Sequence, residues 1–449
     1  MSGEQEPQTY PPGTNALKTL ADRVYMHRLP SYGNKIFYGL GFLALTCLVL
    51  LALTGVVLAF MGQSWWIDNS WGIYLRSVHL WSVQAFIAVL LLHILVGVTT
   101  SGYRAPRRMV WVFGATLFCL ALIQTEFGYG LRGDFASQFR ATSGADFWNG
   151  AYLGYWLNPL NYSQAFALHV AIIPLAILLL FLAHYILERT YGIAKPYRAD
   201  IKYTMVDANH TVMYLRGIAL TILIAVLAFL FPSPYVAPLR IADVARQHPD
   251  AVAAALMREY ERTSDTATYL DSIDPYTFDT RQVYITVPYE EYVASSNVPV
   301  LATSDPAAMI AALMPMVKSG LYESILAQED PGSNDTYTLR FLSDITLDDT
   351  SAMEAQASTL NMSTEQWGMA KDVNGHLFEA PPGSWWFLPL ALVNSAFDLP
   401  NNDNGDRIAA EILGGMMLLF ILFPYIPFVN RLPEYLHLAP FIWRERTPR

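Results

Sequence analysis

Leu75-Arg-Ser-Val-His79-Leu-Trp-Ser-Val-Gln-Ala-Phe-Ile-Ala-Val-Leu-Leu-Leu-His93-Ile94 decides the reading of this chain. It belongs to an apolar run, residues 76–102, long enough to cross a bilayer as a helix. His79 and His93 are 14 residues apart. That is close to four helical turns, so they share roughly one face and lie about 21 Å apart along the axis. A ligand-capable side chain inside a membrane span is a functional site by default. Two on one face imply something stacked along the helix.

The rest of the chain suits a membrane. Its 449 residues are 53% hydrophobic and 15% charged, with a mean hydropathy of +0.27, too apolar for an ordinary soluble protein. Six segments are long enough to span, near 36–61, 76–102, 109–131, 165–188, 212–232 and 407–428. A seventh stretch, 384–399, is short, holds Trp385, Trp386 and Pro389, and reads as re-entrant or interfacial. The first 30 residues are polar and Pro-rich, so no cleavable signal peptide is expected. Cys47 and Cys119 both lie in apolar runs and read as small buried hydrophobes. Without Cys-x-x-Cys-His, no ordinary c-type haem attachment is encoded, and no nucleic-acid partner is expected.

Basic residues in short loops set the expected topology. Lys18, Arg23, Arg28 and Lys35 precede the first span; Arg104, Arg107 and Arg108 follow the second. Arg189, Lys195, Arg198 and Lys202 follow the fourth, and Arg431, Arg444, Arg446 and Arg449 follow the sixth. With six spans all four groups fall on one side, the cytoplasmic (N) side, and the other loops face the P side. One P-side connection is large. Residues 233–405 carry 24 acidic against 8 basic residues, while the chain's net charge is −10. This insertion reads as α+β, with helices near 241–263 and 306–328 and strands at Gln282–Val287 and Tyr337–Leu342. Its acidity suits either a solvated cap or a docking face for a basic redox partner.

A second histidine pair answers the first. His169 and His184, in the fourth span, are 15 residues apart. The second and fourth spans both run from the P side to the N side, so His79 can face His169 and His93 can face His184. Each pair could hold an iron between two imidazoles, and two axial histidines suit electron transfer rather than oxygen chemistry. The first span has Gly41 and Gly55, the third Gly114 and Gly128, both pairs again 14 apart. Glycine there leaves room for a flat macrocycle, or simply for close helix packing. Arg76 and Arg107 could neutralise haem propionates; Arg107 equally suits a topology role.

Here the chain resembles cytochrome b of the quinol-oxidising cytochrome bc and bf complexes, nearest to the bf-type branch. The resemblance covers about 32–197 and rests on Tyr38-Gly-Leu-Gly41, Thr54-Gly55, Leu75-Arg-Ser-Val-His-Leu-Trp-Ser82, Pro106-Arg107, Trp111, the helix-four interval and Tyr191-Gly-Ile-Ala-Lys-Pro196. Phe231-Pro232, Trp385-Trp-Phe-Leu-Pro389 and Pro424-Tyr-Ile-Pro427 follow in the family's order. The resemblance implies a four-helix bundle with two b haems between two quinone sites. It also implies an iron–sulfur (Rieske-type) or cytochrome c partner, and a homodimer within a multisubunit complex.

Three departures fall at the P-side quinol site. The family's Pro-Glu-Trp-Tyr stands here as Gly383-Ser384-Trp385-Trp386, its Leu-Pro-Trp-Gly/Asp-Gln as Leu131-Arg-Gly-Asp-Phe135, and an arginine before the fourth-span histidine as Gln164. The cysteine that tethers a further haem in the bf-type branch stands as Gly39, so two haem b and no covalent haem are expected. Quinol oxidation needs a base, and Glu126 and Asp134 are the replacement candidates, an ion pair with Arg132 being the alternative. His210, Asp200, Asp207 and Lys202 are candidates at an N-side quinone site.

The expected fold is an all-α integral membrane protein of a bacterial inner membrane. It divides as an N-terminal segment 1–35, a di-haem module 36–197, a loop and fifth span 198–235, the acidic P-side insertion 236–383, and an interfacial helix with the sixth span 384–449. The expected function is the di-haem cytochrome b subunit of a membrane quinol:cytochrome c, or similar acceptor, oxidoreductase. The alternative is a haem-bearing anchor or conduit that has lost the P-side quinol site.

Overall fold

The computed structural model of the chain describes residues 28–196, 203–269, 278–296, 305–330, 335–360, 362 and 383–436. Asp200, Lys202, Arg198, Lys18, Arg23, Arg444, Arg446 and Arg449 lie outside the described residues. The apolar runs become α1 (Leu40–Met61), α2 (Ser70–Thr99), α3 (Arg108–Gly130), then α4 (Phe135–Gly150) on the loop, α5 (Tyr162–Tyr191) and α6 (His210–Leu230). Among the described residues, six helices, counting the one at Gly405–Leu422, are long and apolar enough to cross a membrane. Their outward faces are apolar, as at Val56, Phe60, Leu179, Ile222 and Phe229, all exposed, which is what lipid contact requires. The protein is an all-α integral membrane protein.

The spans pack as two antiparallel hairpins. α1 lies along α2, α3 lies along α5, and α6 packs on α1 and α2. The starts and stops are local chemistry. Asn69 caps α2 by accepting from the amides of Trp71 and Gly72, and Asn209 caps α6 through the Val212 amide. At the end bearing His93, a two-strand ribbon pairs β1 (Arg28–Pro30) with β2 (Met205–Asp207). There Tyr103 also donates to the Val429 carbonyl at 2.7 Å, and Arg104 pairs with Glu434 at 2.6 Å.

At the other end stands the insertion. It contains α7 (Ile241–Gln247), α8 (Pro249–Glu261), α9 (Pro306–Ser319), α10 (Leu321–Glu329) and α11 (Thr336–Asp344). The expected helices near 241–263 and 306–328 are present, but the two expected strands are not. Residues 282–286 form a π-turn leading into a helix at Val287–Ser296, and 336–344 form α11. The reason is packing. Tyr284 and Ile285 are adjacent and both fully buried, as are Phe341 and Leu342. Adjacent buried positions suit one helical face and not the alternation of a strand, so tertiary contacts override the β-branched composition. Among the described residues of the insertion the strands are a two-residue pair, Thr346–Leu347 with Thr350–Ser351. α9 and α10 are apolar too, but they bend by 96° and bury Ile310, Leu313, Met316 and Leu326 in the insertion's own core.

That core has no boundary with the loop helix α4. Phe135, Phe139 and Ala145 of α4 share one cluster with Ile241, Leu256, Leu313 and Phe341, and Arg340 pairs with Asp146 at 2.5 Å. After the insertion, α12 (Trp385–Phe397) returns to the bundle and α13 (Gly405–Leu422) spans beside α3 and α4.

Leu313 is fully buried at the centre of this core. Leu313→Ala should therefore destabilise the insertion by about 2–5 kcal/mol, read as a lower denaturant midpoint for proteolytic cleavage within 241–360, with the span helices keeping their circular dichroism.

Candidate functional site

The four histidines meet in pairs between the hairpins. His79 of α2 and His169 of α5 approach with ring centroids 6.3 Å apart and planes at 71°. A transition metal gripped by two imidazoles at a bond length of about 2 Å holds their centroids about 6 Å apart. His93 and His184 both line one largely apolar cavity nearer the other end, with Gly41, Gly114, Arg107 and Glu188 in its wall.

Three of the four rings, those of His79, His169 and His184, are fixed from behind. The His79 Nδ1 lies 2.8 Å from Thr54 Oγ1, the His169 Nδ1 2.9 Å from the Gln124 carbonyl, and the His184 Nδ1 2.9 Å from the Val110 carbonyl. A carbonyl accepts only, so in His169 and His184 the Nδ1 carries the proton and Nε2 is the basic nitrogen, as a metal ligand needs. Thr54 holds its own place by donating to the Leu50 carbonyl at 2.7 Å, one turn back on α1.

The glycines sit against the histidine rings themselves. A Cβ at Gly128 would come within 2.5 Å of His169 Cε1, at Gly114 within 2.9 Å of His184 Cε1, at Gly55 within 3.3 Å of His79 Cε1 and at Gly41 within 3.5 Å of His93 Cε1. Each histidine thus has its own glycine on the partner helix of its hairpin. The space is needed beside the imidazole, not only over a macrocycle.

The two helices keep their histidines level by different means. α5 contains a π-turn at Leu168–Ile172, where the Ile173 amide bonds the Leu168 carbonyl five residues back. Pro174 follows and has no amide proton to continue the regular ladder. The turn absorbs one extra residue, so an interval of 15 on α5 matches the 14 on α2. This feature was invisible in the residue types apart from that proline.

Arg76 and Arg107 carry unused donors. Arg76 is buried and gives one Nη2 bond to the Ser233 carbonyl at 2.8 Å, while its Nε and Nη1 have no partner among the described residues. Arg107 bonds the Gly102 carbonyl through Nε at 3.2 Å, and its buried Nη1 is likewise without a partner. Buried guanidinium donors left open call for an anion.

The two candidate bases part company. Asp134 is fully buried as the N-cap of α4, accepting from the Ser137 amide at 2.9 Å and from Arg132 at 2.6 Å. Its oxygens are committed to the loop. Glu126 does not pair with Arg132. Its carboxylate fills a notch beside Gly144 and Pro159, where a Cβ at Gly144 would lie 2.5 Å from Oε1. Arg140, one turn before Gly144, faces it. Burial pushes the Arg140 guanidinium below its ordinary value, and the Glu126 carboxylate opposes this. Arg140 also lies 4.9 Å over the Tyr129 ring. Sequence reasoning missed both Arg140 and Tyr129; the signal was the helical register of Arg140 and Gly144 on α4.

The interfacial segment docks on this cluster. Trp386 donates to Thr125 at 3.1 Å and packs on Tyr129, while Trp385 donates to Gln84 at 2.8 Å. Ser384 is fully buried. Gln164 is turned away, accepting from the Asn158 amide at 2.6 Å. At the opposite end His210 opens α6, and Asp207 lies in β2, its carbonyl accepting from Asn34 at 3.0 Å.

Residues 84–238 match the family model described as cytochrome b(N-terminal)/b6/petB. The cytochrome b6 of Heliomicrobium gestii is 31% identical over 211 residues, covering 42% of this chain and 97% of that one. The chain belongs to the cytochrome b family of bc- and bf-type complexes. The cytochrome b6 of Heliobacterium modesticaldum is 32% identical over 39% of this chain and 93% of its own length. A solved structure titled "Hyperthermophilic respiratory Complex III" shares 17% identity over 65% of this chain and 90% of that chain, with a TM-score of 0.37, a likeness that carries no argument here. Cytochromes b bind haem b, and the residues fit that group. The site offers one imidazole pair at a metal's spacing, a second pair lining one cavity, Nε2 left for a metal in three of the rings, and unpartnered guanidinium donors for carboxylates.

The glycine distances rank the cytochrome's tolerance. Gly128→Ala should lower haem retention at least about tenfold more than Gly41→Ala, since only the former forces a Cβ into the ring. Reduced-minus-oxidised spectra of the two purified variants check the order. Thr54→Val should keep the haem but raise its midpoint potential, because an acceptor that makes the His79 imidazole a stronger donor is lost; an unchanged potential would remove Thr54 from the site.

Proposed function

We propose that this cytochrome b carries electrons across the membrane between a quinol-oxidising P side and a quinone-reducing N side. The single observation behind this reading is the pairing of four imidazoles at two depths, each backed by its own glycine. His79 and His169 would hold one haem b, His93 and His184 the second. Arg76 and Arg107 would take their propionates. When bound, haem b supplies reversible one-electron transfer with both axial positions closed. The protein's part is to fix the rings, exclude water and set the charge around them.

Orientation follows the basic loops. Arg104, Arg107, Arg108 and Arg189 gather at the His93 end, which the positive-inside rule assigns to the cytoplasm of a bacterial inner membrane. The insertion then stands on the P side. On that side Glu126, held by Arg140, is the carboxylate placed to take a quinol proton, two residues from the glycine that backs His169. Asp134 is less suited because both its oxygens are engaged. The electron that leaves quinol for the high-potential branch requires a partner with an iron–sulfur or c-type haem centre, in a multisubunit, homodimeric complex.

A second reading keeps the electron path and drops the quinol site. It is favoured by the packing of Arg140 against Tyr129, which fills the space between α3 and α12. Quinol-driven haem reduction in the purified complex separates the two. A P-side inhibitor should bind and block reduction; if it does neither, the conduit reading stands instead. His93→Ala should remove one haem of two and so about half the b-type absorbance; an unchanged haem content would sink the ligand assignment.

A further inference from the structure

Glu259 at the end of α8 and Asp344 at the end of α11 face each other inside the insertion. Glu259 is 0% exposed and Asp344 3%. Their remaining oxygens, Glu259 Oε1 and Asp344 Oδ2, are buried with no hydrogen-bond partner among the described residues. Two buried carboxylates side by side, each with an oxygen that no donor reaches, do not both stay ionised, so one of the pair holds a proton. Among the described residues, the surroundings supply only neutral donors to the two carboxyls. Ser264 donates to Glu259 Oε2 at 2.6 Å, Thr280 donates to the Glu259 carbonyl at 3.2 Å, and the Thr266 amide donates to Asp344 Oδ1 at 3.1 Å.

The charged groups nearby do not cancel the pair. Arg258 bonds the backbone carbonyl of Asp344 and not its carboxylate. Arg340, one turn before Asp344, is paired with Asp146 of α4. Asp265 adds negative charge from the loop after α8. Tyr284 and Tyr322, both fully buried, face Glu259 and stay neutral. Two negative charges in this core would repel at close range in a medium far less polar than water.

We propose that Glu259 and Asp344 form a proton-binding site that clamps α8 to α11 while it holds one proton and releases them when that proton is lost. Burial first, and the facing carboxyl second, hold Glu259 well above the usual carboxylate range, and burial raises Asp344 as well. The sign follows from linkage. A folded-state pKa above the unfolded one stabilises fully below the unfolded value, and that stability is lost as pH rises through the folded value. The clamp is therefore closed in acid and at neutrality and opens in alkali. α11 is also the helix that ties the insertion to α4 through Arg340 and Asp146, and α4 carries Arg140 to Glu126. On the orientation proposed above, the clamp stands on the side where quinol protons emerge. The clamp itself does not rest on that orientation.

The test uses the full chain in lipid nanodiscs. Infrared difference spectra at neutral pH should contain a protonated-carboxyl band that disappears in both Glu259→Gln and Asp344→Asn. Hydrogen exchange of α8 and α11, corrected for the intrinsic pH effect, should lose protection about tenfold per pH unit above the folded pKa. In Glu259→Gln the amide donates to Asp344 permanently, so that loss should vanish. Should this variant not fold, Asp344→Asn and the wild-type infrared band still decide. A wild-type exchange profile in α8 and α11 that is flat with pH, or a neutral-pH spectrum whose carboxyl band survives both substitutions, overturns the proposal.

Discussion

An imidazole inside a bilayer presents Nε2 to a metal most firmly when something else holds Nδ1, as in His79, His169 and His184. That constraint organises the bundle. Main-chain carbonyls of helices are already engaged in their own ladder, so a histidine reaches one only where a neighbouring helix comes unusually close. Gly114 and Gly128 permit that approach on α3, and the carbonyls of Val110 and Gln124, each four residues earlier, receive the rings of α5. On α1 a side chain takes part: Thr54 bonds the His79 ring at 2.8 Å, beside Gly55 and close to the Leu51 carbonyl four residues before it. The hairpins α1–α2 and α3–α5 are therefore ligand-holding units, each made of one helix that carries histidines and one that is cut back to receive them.

The loop helix α4 serves two structures at once. Its apolar face completes the insertion's core, and Arg140 and Gly144 on the same helix close over Glu126 and Tyr129 at the end of α3. Arg340 adds a partly buried ion pair to the same joint. The acidic insertion is thus seated on the membrane end of the bundle through a shared hydrophobic core, and its charge lies on the remaining surface, at residues such as Glu290, Glu291, Asp348 and Asp349.

Much of this was legible in the residues. Long apolar runs fix spans because a bilayer admits little else, and the histidine and glycine intervals carried the ligand geometry because helical rise is constant. What the sequence hid depends on contacts between distant segments. Gln282–Val287 and Tyr337–Leu342 looked like strands because β-branched and aromatic residues crowd them, yet their neighbours in space demand a helical face. Asp134 looked like a base because it stands near a substituted motif; its capping bonds with Ser137 and Arg132 come from a backbone path that no interval announces. The Glu259–Asp344 pair joins residues 85 positions apart in the chain, and nothing local marks either as unusual.

The π-turn at Leu168–Ile172 bears on how such chains are compared. It makes ligand spacing a matter of bookkeeping along the backbone and not of depth in the membrane. A helix with the turn and 15 residues, and one without it and 14, place their imidazoles at the same levels. One residue gained or lost at the turn is then silent for the cofactor, because the turn takes it up before the helix reaches His184. Evolution can lengthen or shorten the chain between the two ligands of α5 without moving either.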